Sequence, residues 1–264
     1  MAENKFLYKT GLVLSGGGAR GFAHVGVLKA LNEAGIFPDA VAGTSAGAIA
    51  GVLYCDGYTP DEIMNIMRSR SWLEYMRPSV SKTGLLSISG VQKILKEHLR
   101  AKTFDELKIK LYVTATDFNN GKAVYFEKGD LVKTVIASAS IPVIFKPVII
   151  EGITYFDGGV LDNLPIQPLE GKCRVIIGSY VNPTGPEKNF NSLIKIAERT
   201  FLLNLSREVN SKATRFDLLI APTELKNYPV LDPEKSEEIF RIGYETTREL
   251  LKSKEIYNKL LFKK

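Results

Sequence analysis

Histidine is almost absent from this chain: His24 and His98 are the two among 264 residues. A Ser-His-Asp triad draws its base from a histidine that normally follows the serine in α/β folds, so few positions are open to that chemistry. Cysteine is equally scarce. Cys55 and Cys173 stand far apart in no ligand-like spacing, which argues against a disulfide framework or a cysteine metal site and suits a reducing compartment. No apolar run reaches the ~18 residues of a transmembrane helix, and Met1 to Thr10 lacks the pattern of a secretory signal. The expectation is a soluble, cytoplasmic protein, at most peripheral to a membrane. No repeat, low-complexity tract or linker divides the chain, so one domain over 1–264 is expected. A chain of this size buries roughly 70–75% of its unfolded surface and needs no metal to hold a core.

What is present is ordinary in bulk and unusual in detail. Hydrophobic residues make up 45% and charged residues 24%, as in soluble globular proteins. The net charge of +6 favours anionic partners such as lipid head groups or acidic metabolites. No nucleic-acid motif accompanies it, and no nucleic-acid partner is expected.

The hydrophobic pattern alternates strands with helices. Leu12-Val13-Leu14 reads as a buried strand, Phe22 to Ala34 as a helix ended by Gly35, Asp39 to Ala42 as a second strand, and Ala46 to Leu53 as a helix. Strand–helix–strand–helix is the mark of a parallel sheet wrapped by helices, so the expected fold class is α/β: three layers, α/β/α, around a mainly parallel central sheet. Thr59 and Pro60 open another helix as N-cap and first residue. Residues 57–100 read as a cap or loop region, with a Ser/Pro/Gly-rich middle at Arg77 to Gly90. Leu111–Ala115 and Ala123–Phe126 read as strands about a turn at Asn119–Lys122. Leu131–Ala139 is an expected helix. Val148–Ile150 and Ile153–Phe156 form a second hairpin, and Arg174–Val181 an apolar strand. Helices over Ser192–Ser206 and Glu234–Leu260, with a strand at Leu218–Ala221, complete the chain.

Three motifs carry chemistry. Gly43-Thr44-Ser45-Ala46-Gly47 has the G-x-S-x-G form between a strand and a helix, the setting in which a tight turn projects a serine hydroxyl above a sheet. The helix that follows points amides at any negative charge forming there. Gly16-Gly17-Gly18-Ala19-Arg20-Gly21 follows the first strand and exposes consecutive backbone N–H groups, which can form a nest for an anion. The same residues satisfy G-x-G-x-x-G through Gly16, Gly18 and Gly21, with Asp39 eighteen residues beyond. That is the dinucleotide-binding fingerprint, and it stands as the alternative reading. Asp157-Gly158-Gly159 ends a strand. It reads either as a hairpin turn or as a carboxylate able to reach a serine on a neighbouring strand end. His24 is expected to pack inside the first helix and His98 to lie on the surface, which leaves a carboxylate as the base for Ser45.

Taken together, these motifs resemble the patatin-like phospholipase family. Ser15 to Gly21 resembles its glycine-rich block, Gly43 to Gly47 its nucleophile elbow, and Asp157-Gly158-Gly159 its Asp-Gly-Gly block. The stretch Ala137-Ser138-Ala139-Ser140-Ile141-Pro142, with Phe145, resembles another recurring block. The resemblance spans about residues 10–180. It implies Ser45 as nucleophile, Asp157 as base, an oxyanion hole from the loop Gly16, Gly17 and Gly18, and Arg20 as substrate-binding or loop-supporting residue. It implies a lipid or acyl-ester substrate; no cofactor is expected, and with no calcium-binding appendage visible, calcium dependence is not implied. The C-terminal segment Leu250 to Lys264, with five lysines, one glutamate and several apolar residues, reads either as a contact for an anionic membrane surface or as a docked terminal helix.

Overall fold

The computed structural model describes residues 6–68, 88–188, 190–206, 209–231 and 233–262. Five parallel strands form the centre of the sheet: β1 (Tyr8–Leu14), β2 (Ala40–Thr44), β3 (Lys110–Asp117), β7 (Cys173–Ser179) and β8 (Leu218–Ile220). An antiparallel margin is added by β4 (Lys122–Phe126), β5 (Val148–Ile150) and β6 (Ile153–Asp157). The order is β5-β6-β3-β2-β1-β7-β8, with β4 also paired to β3.

The central strands are apolar on both faces, as strands buried on both sides must be. Leu12, Leu14, Val41, Val175 and Ile177 enter the larger core, while Val13, Ala40, Ala42 and Ile176 point to the opposite face. The period of two is that of a pleated strand. Helices α1 (Phe22–Glu33) and α2 (Ala46–Cys55) supply the larger core. Phe22, Leu28, Leu31 and Leu53 are fully buried there, each contributing about 1.5–3 kcal/mol by transfer from water. The second face is covered more thinly, by Leu164, Ile166, Leu169 and Phe216. The outer layer on that side is thus built largely from an irregular segment.

Local signals explain the element ends. Helix α3 (Pro60–Met67) opens with the expected Thr59 cap, completed by Glu62, whose carboxylate accepts from the Thr59 N–H at 2.8 Å. Helix α4 (Ser89–His98) follows; the intervening part of the expected cap region lies outside the described residues. Helix α5 (Leu131–Ser138) is capped by Asp130. The Glu151-Gly152 turn has positive φ at both residues, 49° and 81°, the geometry that closes two-residue hairpins.

Helices α6 (Leu193–Ser206) and α7 (Val209–Lys212) precede β8. The single helix expected over Glu234–Leu260 is instead two, α8 (Ser236–Leu251) and α9 (Lys254–Phe262). Ser253 restarts the chain by accepting from the Tyr257 N–H through its carbonyl, at 2.9 Å. The break lets α9 turn back onto the core. Leu260 is buried, Ile256, Tyr257 and Leu261 pack beside it, and the Tyr257 hydroxyl donates to the Ala34 carbonyl at 3.1 Å. The C-terminal helix is docked, with Ile256, Tyr257, Leu260 and Leu261 packed into the fold. Among the described residues, no helix is long and apolar enough to cross a membrane.

Candidate functional site

Strand β3 brings the site together by its register. Val113 and Thr114 pair with Gly43 and Thr44 of β2 on one edge and with Phe126 and Tyr125 of β4 on the other. From Ala115 onward β2 has ended, and β6 takes the vacated edge, with Asp157 opposite Ala115. The residue before Ser45 and the carboxylate Asp157 therefore face successive residues of one strand. Asp157 does not turn a hairpin. It ends β6 and starts a short turn, its Oδ1 accepting from the Gly159 N–H at 2.8 Å.

Ser45 sits at φ 54°, ψ −120°, a conformation that side chains rarely adopt and that costs of order 1–3 kcal/mol. The turn tolerates it because α2 begins at once and packs close to β1. A Cβ on Gly47 would lie 2.3 Å from the Leu14 carbonyl oxygen, so only glycine fits there. The Ser45 N–H donates to Ser138 Oγ at 2.8 Å, and the Asp157 N–H donates to the Ser140 carbonyl at 2.9 Å. Ser138 and Ser140, at and just past the end of α5, thus hold both members of the pair. The Thr44 hydroxyl donates to the Asp162 carbonyl at 3.0 Å, and the Asp162 carboxylate is fixed by Lys212 Nζ and the Tyr125 hydroxyl, each at 2.6 Å.

Asp157 is wholly buried, and burial raises its pKa to about 7, against the opposing effects of the Ser45 hydroxyl and the Gly159 N–H. Its Oδ2 has no hydrogen bond of regular geometry among the described residues. The Ser45 hydroxyl still lies near enough to favour the ionised form, a loose contact of the sort that tightens when substrate binds. Ser45 faces an apolar cavity of about 70 Å³, walled by Ile49, Val91, Ile141, Phe145 and Leu231 among others.

The glycine loop borders the same cavity, through Gly18 and Ala19, but its three glycines are not equivalent. The Gly16 N–H already donates to Asn163, to Oδ1 at 3.0 Å and to the carbonyl at 3.3 Å. The Gly16 donor is thus engaged within the fold. No hydrogen bond engages the Gly17 or Gly18 N–H among the described residues. Gly18 has φ 53°, and a Cβ there would meet the Val230 carbonyl oxygen at 2.2 Å. Asn182 Nδ2 donates to the Gly16 carbonyl at 2.5 Å, so two buried asparagines hold the two successive peptide groups that flank the Gly16 Cα.

Arg20 turns away from the cavity. Its Nε donates to the Tyr228 carbonyl at 2.7 Å and a terminal nitrogen to the Pro183 carbonyl at 3.2 Å. Of its two expected roles, loop support is the one its contacts match. Burial lowers its pKa to about 10. His24 is buried, with Nε2 on the Ser15 carbonyl and Nδ1 on the Ser179 hydroxyl, both at 2.8 Å. A carbonyl only accepts, so Nε2 carries the proton, and burial lowers the pKa to about 4. His24 is a neutral brace for the loop. His98 ends α4 and does not line the Ser45 cavity.

The dinucleotide alternative fails on placement. That fingerprint needs its acidic residue at the carboxyl end of the second strand. Asp39 precedes β2 at the opposite end, where its carboxylate accepts from the Lys9 and Thr10 N–H groups. The carboxyl end of β2 carries Ser45.

The family model of the patatin-like phospholipases matches residues 12–170. The chain belongs to the patatin-like phospholipase family. An uncharacterized NTE family protein of Mycobacterium tuberculosis is 35% identical over 219 residues, covering 81% of this chain and 59% of the relative. A lysophospholipase of Kluyveromyces lactis is 26% identical, covering 95% of this chain and 20% of the relative. This patatin-like chain thus spans three fifths or less of the length of these curated relatives. Among solved structures, VipD of Legionella pneumophila shares the fold, with TM-score 0.56 and 18% identity over 94% of this chain and 67% of that one. The match of the family model covers Gly16 to Gly21, Ser45, Ser138, Asp157 and Asn163; Asn182 lies beyond it.

Sequence reasoning missed Asn163, Asn182 and the amide-holding role of Ser138. Asn163 follows Asp162 in an Asp-Asn-Leu-Pro turn, a polar pair inside an apolar stretch, and that was the one local signal available. Asn182 offered none, because its partner lies 166 residues away.

Proposed function

We propose that this chain hydrolyses carboxylic esters of lipids through an acyl-enzyme on Ser45, with Asp157 as the base. The observation that carries the reading is a wholly buried carboxyl of raised pKa beside a strained serine at an apolar cavity. A pKa near working pH makes Asp157 a far better base than a free aspartate at about 3.9.

In the first half-reaction Asp157 accepts the Ser45 proton as Oγ bonds to the ester carbonyl carbon. The carbonyl oxygen becomes an oxyanion toward the Gly17 and Gly18 amides and the N-terminus of α2. Collapse expels the alcohol or lysolipid, which takes the proton from Asp157. Water then gives a proton to Asp157 and attacks the acyl carbon. Ser45 leaves, recovers that proton, and the fatty acid departs. The aliphatic and phenyl walls of the cavity suit an acyl chain, which supports phospholipids, lysophospholipids or simpler acyl esters as substrates. The whole reaction runs on these side chains and amides, without a cofactor.

A fluorophosphonate probe is the direct test. It should label the wild type once, on Ser45, with the label located by peptide mass spectrometry. Absence of labelling in protein that is folded by circular dichroism would remove the nucleophile assignment.

The asparagine grip makes a second expectation. Asn163→Ala removes the shorter of the two acceptors of the Gly16 N–H and leaves it only the Asn163 carbonyl at 3.3 Å, a loss worth about 0.5–1.5 kcal/mol. The loop that offers the Gly17 and Gly18 amides then loosens. The expected result is a 10- to 100-fold lower kcat on a p-nitrophenyl ester, with KM nearly unchanged, because the donors act on the transition state. A rise in KM at constant kcat would assign Asn163 to substrate binding instead.

A further inference from the structure

We propose that the face built by α4, α5 and residues 146–149 docks on an anionic lipid bilayer. A groove of about 670 Å³ runs between these elements. Its rim carries Lys96, Lys102, Lys133 and Lys146, all exposed, and none is paired with a carboxylate among the described residues. The groove itself is lined by a single carboxylate, Asp130. That group is already committed to capping α5, its Oδ1 accepting from the Lys133 N–H at 2.8 Å. The neighbouring Glu106 likewise accepts from the backbone N–H of Lys102 at 2.8 Å. The four lysines and Asp130 together give the lining of the groove a formal charge of +3.

Charge alone would suit any polyanion; the apolar side chains narrow the choice. Ile149, which lines the groove, and Val143, in the loop that follows α5, are each 60% exposed. Val143 holds φ 69°, an outlier for a β-branched residue, and its side chain stands in solvent between Ile141 and Phe145, which wall the Ser45 cavity. Lysines lining a groove with the exposed aliphatic side chain of Ile149 match an interface that offers anionic head groups above hydrocarbon. The face is continuous with the reaction site, because Ile88 lines both the groove and the Ser45 cavity. The docked C-terminal helix, by contrast, has its apolar residues turned into the core.

This inference deepens the hydrolase reading by naming the surface from which substrate is drawn. Its test needs no turnover. Full-length protein is sedimented with vesicles of phosphatidylcholine alone and of phosphatidylcholine with phosphatidylglycerol. Wild type should partition to the mixed vesicles far more strongly, and less so as salt rises. Each lysine near such a surface adds about fivefold. Lys96→Glu, Lys102→Glu, Lys133→Glu and Lys146→Glu combined should therefore lower that partition at least ~100-fold. Turnover of a soluble p-nitrophenyl ester should stay within about twofold, since all four side chains are exposed. The control, Lys188→Glu, Lys195→Glu, Lys226→Glu and Lys254→Glu, changes net charge equally at other exposed positions and should retain most of the binding. Three results overturn the proposal: unchanged partition in the first variant, equal loss in the control, or wild-type binding that ignores phosphatidylglycerol. Wild type that binds an acidic protein or polynucleotide but not the mixed vesicles overturns it too. A vesicle contrast that persists while fluorophosphonate fails to label Ser45 removes the hydrolase reading and leaves the docking face.

Discussion

Ser45→Ala is expected to lower ester hydrolysis by at least about 10⁴-fold while the protein still folds. The hydroxyl is the one atom removed, and it makes no hydrogen bond on which the turn depends. The turn is held instead by the Ser45 N–H on Ser138 and by the Thr44 hydroxyl on the Asp162 carbonyl, both of which alanine preserves. Alanine also keeps the strain, because it too carries a Cβ at φ 54°. Ser45→Gly is the sharper variant. It should be as inactive as alanine yet more stable by about 1 kcal/mol or more, since glycine adopts this conformation freely. Urea unfolding of the two variants beside p-nitrophenyl ester kinetics reads both effects. Activity surviving in Ser45→Gly would place the nucleophile elsewhere. A glycine variant no more stable than alanine would show that the strain is relaxed in solution.

Asp157→Asn is expected to move activity and stability in opposite directions. As base, Asp157 contributes about 10²- to 10⁴-fold, and asparagine, which accepts no proton, should forfeit that factor. In the wild type, kcat/KM should rise with pH through a midpoint near 7, as the carboxyl ionises. The asparagine variant should lose that inflection. The folded pKa of about 7 lies above the ordinary 3.8, so between about pH 4 and 7 the native state keeps a proton that the unfolded chain has lost. Stability therefore falls as pH rises through that window, and above it the native state carries the full penalty of a buried charge. Three units correspond to about 4 kcal/mol at most. Asparagine, neutral and of the same shape, should recover on the order of 1–3 kcal/mol of this at pH 8 and almost none at pH 4. Equal stabilities at pH 8, or an unchanged pH–rate profile, would mean that Asp157 is not the titrating group.

Both expectations arise from one device. The end of α5 holds the Ser45 amide through Ser138 and the Asp157 amide through Ser140, so the two residues cannot drift apart independently. Two carboxylates lie close in sequence, Asp157 and Asp162, and their environments separate them. Asp162 is ion-paired with Lys212 at 2.6 Å and supports the turn. Asp157 is buried with no cation paired to it among the described residues. Removing Lys212 would leave Asp162 as an uncompensated buried charge, which ordinarily costs about 3–5 kcal/mol.

The amino-acid sequence alone determined the α/β class and the order of most elements. These rest on short-range chemistry. Apolar triplets between polar turns make buried strands, Thr59 and Pro60 open a helix, and glycines beside Ser45 are demanded by a turn too tight for any Cβ. Only the tertiary structure decided how these pieces act together. That Asp157 comes beside Ser45 follows from β6 taking the edge of β3 at Ala115, where β2 stops at Thr44. No local pattern encodes that register. That Gly16 is no free donor, while Gly17 and Gly18 remain, depends on Asn163 and Asn182, partners 147 and 166 residues away. The same holds for Arg20, whose guanidinium is drawn to carbonyls of distant loops, and for the split of the C-terminal helix, which bends at Ser253 so that Leu260 can reach the core. A backbone conformation is dictated by the residues that must adopt it, whereas a hydrogen-bond partner or a burial site is dictated by whatever the rest of the chain brings near.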